Sequence, residues 1–180
     1  MRVFLSGVGC VGKTTVGLRL AELMGLRFFD LDTEIERLFE MSIEQLHQKY
    51  WMPHDFRRSL QGALVNLGQT RKSAGRHRLA AERTDGRLSV VIKKTQGLKV
   101  TLLDKPERIL DRIVFYDVDS SPMDKRLTNE ERPLYLKEIK KNITYFKKSY
   151  TRADLQVSIE DMDVEQAAHH ILAQLKVYSP

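Results

Sequence analysis

Cysteine occurs once in the 180 residues, at Cys10, so no disulfide can close within the chain and a reducing compartment, by default the cytoplasm, is expected. No apolar run approaches the roughly 18 residues that would span a bilayer, and no membrane segment is expected. A secretory leader is not expected either, because only Val3-Phe4-Leu5 follow Arg2 before the glycines begin. Internal repeats and Pro- or Gly/Ser-rich linkers are missing, which leaves one domain of a size that can bury a real core. Aromatic residues are 8% of the chain and do not alternate with basic ones. The formal charge of +6 therefore suggests an anionic small-molecule partner rather than nucleic acid, and a monomer is expected.

The remaining composition, 42% apolar and 30% charged, is that of an ordinary globular protein. A short apolar run at 2–6 reads as a buried strand that ends at Gly7. Residues 13–24 put Val16, Leu20, Leu23 and Met24 on one helical face, with Gly25 as the stop. A second strand follows at 27–30. Strand, helix, strand at this spacing is a βαβ unit and implies a parallel sheet. Helices are then expected at 33–39, 43–50, 55–67, 106–115 and 131–150, and a closing helix begins at Val164. Further strands are expected at 98–103 and 155–159. Residues 69–87 hold six basic residues from Arg71 to Arg87 against Glu82 and Asp85, and read as a loop too charged for a central strand. If the sheet has one more strand, residues 89–92 are the remaining candidate, although they suit a helical turn equally.

Gly7-Val8-Gly9-Cys10-Val11-Gly12-Lys13-Thr14 matches the phosphate-loop pattern, and Thr15 follows it. Glycines let successive backbone N–H groups converge on phosphate oxygens, and the helix starting here adds the positive end of its dipole. Lys13 brings a full charge to the β- and γ-phosphates, while the Thr14 hydroxyl can ligate Mg²⁺. Nucleotide contacts are thus expected from Gly7, Gly9, Cys10, Val11, Gly12, Lys13, Thr14 and Thr15, with Cys10 a spacer. Asp30 and Asp32 flank Leu31 where the second strand ends. Residues two apart in a strand point to one side, which here can face the ligand crevice beside the loop. Asp32 also suits the N-cap of the helix at 33–39, and both roles can coexist. His169 and His170 lack partners at metal-ligand spacing and no metal is expected there.

The phosphate loop, then Phe29-Asp30-Leu31-Asp32, Ile35-Glu36, Ile43 and Phe56-Arg57-Arg58 together resemble the shikimate kinase family in order and nearly in spacing. That resemblance implies an α/β P-loop kinase fold: a three-layer sandwich on a parallel five-stranded sheet of order 2-3-1-4-5. It also implies acceptor-binding helices over about 33–68 and a lid over about 116–132. Its further implications are ATP and Mg²⁺ as partners, Mg²⁺ held by Thr14 and Asp30, and shikimate held through hydroxyls by Asp32 and through its carboxylate by Arg57. An Arg suits that task because its planar fork pairs bidentately with a carboxylate. Arg112 falls where the family has an arginine near the adenine, and Arg126 matches the lid arginine, so Lys13, Asp32 and Arg126 are the expected catalytic residues. Two departures from the pattern stand out. The family's triple-glycine loop after the third strand has no counterpart, and its second substrate arginine would fall near Tyr145, with Lys147 and Lys148 beside it. Other small-molecule kinases of this fold, and a nucleotide-binding relative without turnover, stay open as alternatives.

Overall fold

A computed structural model describes residues 2–49, 78–81 (backbone only) and 97–178. Chain order runs β1 (Arg2–Ser6), α1 (Lys13–Met24), β2 (Arg27–Asp30), α2 (Leu31–Phe39), α3 (Ile43–Lys49) and β3 (Arg78–Ala81). It continues with β4 (Leu98–Leu103), α4 (Pro106–Asp111), β5 (Phe115–Tyr116), β6 (Pro122–Met123), α5 (Glu131–Tyr150), β7 (Leu155–Ser158) and α6 (Val164–Tyr178). Five strands form one sheet in the order β2-β3-β1-β4-β7, every pair parallel. Numbered within that sheet, the order reads 2-3-1-4-5. The β1-to-β2 and β4-to-β7 connections run in opposite directions across it. Right-handed crossovers therefore place α1 on one face and α4–α5 on the other.

Burial follows the strand positions. Val3 and Leu5 of β1 and Val100 and Leu102 of β4 are fully enclosed, packed with Val16, Leu20 and Ala21 of α1 and Ala168 and Ile171 of α6. Ile35, Ile43 and Leu46 form a second, smaller cluster with Leu31, Phe39 and Met41, so α2 and α3 carry a core of their own.

Three of the described helices begin with reciprocal side-chain caps. Ser42 and Gln45 exchange backbone–side-chain hydrogen bonds of 3.2 and 3.0 Å ahead of α3. Thr128 with Glu131, and Asp163 with Gln166, do the same before α5 and α6, making three reciprocal capping boxes among the described residues.

Three expectations are corrected. The segment 69–87 is not all loop, since β3 lies inside it, between β1 and β2. Four residues suffice there because Leu79-Ala80-Ala81 is uncharged and both strand edges find backbone partners. The helix expected at 33–39 starts earlier, at Leu31, and its N-cap is Asp30 rather than Asp32. The helix expected at 106–115 stops at Asp111, where Arg112 leaves helical geometry, and Phe115 turns into the β5–β6 hairpin instead. The candidate helix at 55–67 and candidate strand at 89–92 lie outside the described residues.

Candidate active site

Along the carboxyl edge of the sheet β1 runs into the phosphate loop, β2 ends at Asp30 beyond the intervening β3, and β4 runs into Asp104. In parallel sheets that edge is where ligands bind. The loop backbone is shaped for it. Gly7 has φ 147° and Gly12 φ 103°, and a Cβ on Gly7 would meet the Leu102 carbonyl oxygen at 2.8 Å. Cys10 is exposed and itself left-handed at φ 60°, so the loop turns sharply where its N–H groups must converge.

Lys13 is buried, and its ammonium donates to the carbonyls of Gly7 (3.0 Å) and Val8 (2.8 Å). It sits at the first turn of α1, inside the loop. Thr14 Oγ1 donates to Asp30 Oδ2 at 2.6 Å, and Asp30 Oδ1 accepts the Asp32 N–H at 2.9 Å. One carboxylate thus caps α2 and grips the phosphate-loop hydroxyl. The pair offers hard oxygen donors of the kind Mg²⁺ takes beside substrate phosphates, whereas no group of three or more His, Cys, Asp or Glu forms a cage among the described residues. The site chemistry fits the ion.

Asp32 reaches the same cleft from the first turn of α2, not from a strand pleat as the alternation at Asp30-Leu31-Asp32 suggests. Thr33 and Glu36 continue that wall, Glu44 adds to it from α3, and Tyr116 and Ser120 close it from the hairpin. Arg112 lies at the loop: Nη1 donates to the Val11 carbonyl at 3.0 Å, and Nη2 is paired with Asp104. Arg126 is exposed and does not line the cleft among the described residues. Arg132, six residues on and in the first turn of α5, is paired with Asp111 at 2.6 Å. Arg57 lies outside the described residues. Tyr145 is exposed on α5, edge-on to Phe146.

Several site residues escape a reading of the sequence. Glu36 stands four residues after Asp32, one turn along the same helix face, and that spacing was a usable sign. Asp104 was signalled by Arg108 and Arg112 at four-residue steps beyond it; its side chain is fully enclosed and takes both guanidinium groups. Ser120 carried no sign in sequence, since its place depends on how the hairpin folds back.

A parallel sheet with a phosphate loop after β1, its lysine and threonine in place, and a second-strand carboxylate bonded to that threonine define a P-loop kinase. The family model for shikimate kinase matches residues 9–74. The shikimate kinase of Nitrobacter winogradskyi is 32% identical over 136 residues, which cover 73% of this chain and 63% of that protein. The shikimate kinase of Thermoanaerobacter pseudethanolicus is 24% identical over 94% of this chain and 93% of its own length. Among solved structures, shikimate kinase from Acinetobacter baumannii in complex with shikimate has the same fold, with TM-score 0.71 at 24% identity, over 99% of this chain and 94% of that one. The family model and these relatives together support membership of the shikimate kinase family. No helix among the described residues is long and apolar enough to cross a membrane.

Proposed function

We propose that this chain transfers the γ-phosphoryl group of ATP to a hydroxyl of shikimate, giving shikimate 3-phosphate and ADP, a step toward aromatic amino acids. The observation that carries the reading is the contact of Thr14 with Asp30, one residue from Leu31 and two from Asp32, on the wall that faces the phosphate loop. That contact supports a reading in which metal-side ligands and an acceptor-side carboxylate share one strand end.

In this reading Lys13 neutralises charge on the transferring group, and the loop N–H groups hold the phosphates in line. Thr14 and Asp30 would hold Mg²⁺, which when bound would supply further neutralisation of the phosphate charge. Asp32 accepts the hydrogen bond of the attacking hydroxyl, orients it, and takes its proton as transfer proceeds. Arg57 grips the acceptor carboxylate, Arg112 steadies the loop near the base, and Arg126 closes from the lid. Phosphoryl transfer asks mainly for such positioning. The reaction is placed in the cytoplasm, with the chain a monomer that needs neither nucleic acid nor membrane.

A second reading, another hydroxyl-rich acceptor, draws on the carboxylates Asp32, Glu36 and Glu44 along one wall and on the missing glycine loop. Titrations of Asp32→Asn and Arg57→Ala distinguish the two. Asp32→Asn should lower kcat by about 100-fold or more, as loss of a general base does. Arg57→Ala should raise the shikimate KM at least about tenfold, and both should leave the ATP KM within about twofold. An unchanged shikimate KM in Arg57→Ala would remove shikimate's carboxylate from the account and favour the other acceptor.

A further inference from the structure

The chain between Arg112 and α5 forms a hairpin whose tip does not stay with the nucleotide loop. It reaches across to α2 and α3. The Ser42 hydroxyl donates to the Val118 carbonyl, and Gln45 Nε2 donates to Asp119 Oδ1 at 3.1 Å. Ser120 Oγ meets Glu36 Oε1 at 2.6 Å and the Glu44 carboxylate as well. Glu36 Oε1 in turn accepts the Ile43 N–H at 3.1 Å, at the first residue of α3. One hydroxyl therefore gathers the middle of α2 and the start of α3 at a single point.

The tip is built to hold that hydroxyl in place. Asp117 Oδ1 accepts the N–H groups of Asp119 and Ser121, each at 2.9 Å, and Ser120 takes a left-handed φ of 58° between them. Meanwhile the α2–α3 pair has its own small core, separate from the main one, so its setting over the sheet depends on ties of this kind. A hydroxyl donates one proton. It serves one carboxylate at a time, and the other keeps lone pairs that can accept from a hydroxyl in the cleft.

We propose that the β5–β6 hairpin is a strap that fixes α2 and α3 against the phosphate loop, with Ser120 a positioning residue for the phosphoryl acceptor. The inference rests on the reading that α2 and α3 are the acceptor side. Ser120→Gly tests it without straining the fold, because glycine takes the left-handed conformation freely and the hydroxymethyl group with its hydrogen bonds is removed. The shikimate KM should rise about tenfold, with kcat within about threefold, the ATP KM within about twofold and the melting temperature unchanged. Amide exchange over residues 43–49 should quicken, while that of β4 stays as it was. An unchanged shikimate KM, or a parallel rise in both KM values, overturns the proposal. If the wild-type chain has no shikimate turnover, the acceptor reading falls separately and exchange alone decides: faster exchange at 43–49 keeps the strap, and unchanged exchange removes it.

Discussion

At the scale of single residues, the side chain of Asp104 carries more than its place after β4 suggests. Fully enclosed, it caps the Lys105 N–H at 2.8 Å and pairs with both Arg108 and Arg112. Through Arg112 it reaches the Val11 carbonyl, so a buried carboxylate steadies the outer rim of the phosphate loop. Asp104→Asn keeps the shape but leaves two guanidinium groups facing a neutral amide. Both arginines are about one-third exposed, which moderates the cost; about 1–3 kcal/mol of stability should be lost. The ATP KM should rise several-fold while the shikimate KM stays, and thermal melting with separate titrations checks both. An ATP KM equal to wild type would show that Arg112 holds the loop without Asp104. Lys13 and Thr14 were legible in sequence because a contiguous motif fixes its own backbone, and Asp30 because it pairs with Asp32 at a strand end. Ser120 was not, because its partners lie 84 and 76 residues away and meet it only in the folded chain, and Asp104 had no motif to mark it beyond the four-residue steps to Arg108 and Arg112.

At the scale of elements, the strands and helices that carry strong periodicity stand where their residues put them: α1 and α5 match to the residue, as do β1, β2 and β4. The failures have physical causes. β3 was hidden because a four-residue strand with a partner on each edge needs no long apolar run, and the charges around Leu79-Ala80-Ala81 belong to its flanks. α4 was overextended because the apolar residues Ile113, Val114 and Phe115 continue past the point where Arg112 turns to Asp104 and Val11. Asp32 reached the cleft as expected, but as a residue of the first helical turn.

Between elements, Arg19 of α1 holds Glu165 of α6 with contacts of 2.5 and 2.8 Å, and hydrogen bonds from Arg19 bring the Glu165 carboxyl from 4.5 down to about 2. His169, one turn along, meets the same carboxylate at 2.9 Å. A depressed carboxyl pKa means stabilisation that is fully present above about 4.5 and is lost as pH falls through about 2. Glu165→Gln should therefore melt below wild type near neutral pH. The gap should narrow as pH drops from about 4.5 toward about 2, and should shrink in high salt because the pair is exposed. A gap that holds constant across that acid range would mean Glu165 contributes packing rather than charge.

At the scale of the whole molecule, the sheet brings the ends of β1, β2 and β4 together, and the long connection after α4 carries a hairpin back over α2 and α3. The nucleotide half of the site was written in consecutive residues. The acceptor half as proposed is spread over α2, α3, the hairpin and Arg57, and only Asp32 and Arg57 stood out in sequence, through their likeness to the family. The account's central claim is that these two halves form one shikimate-dependent kinase, and ADP release measured with and without shikimate tests it most directly. Release should require both ATP and shikimate, and should fall at least about 100-fold in Lys13→Ala while that variant still melts as a folded protein. ADP release that is the same with and without shikimate, in a chain that binds ATP, would contradict it.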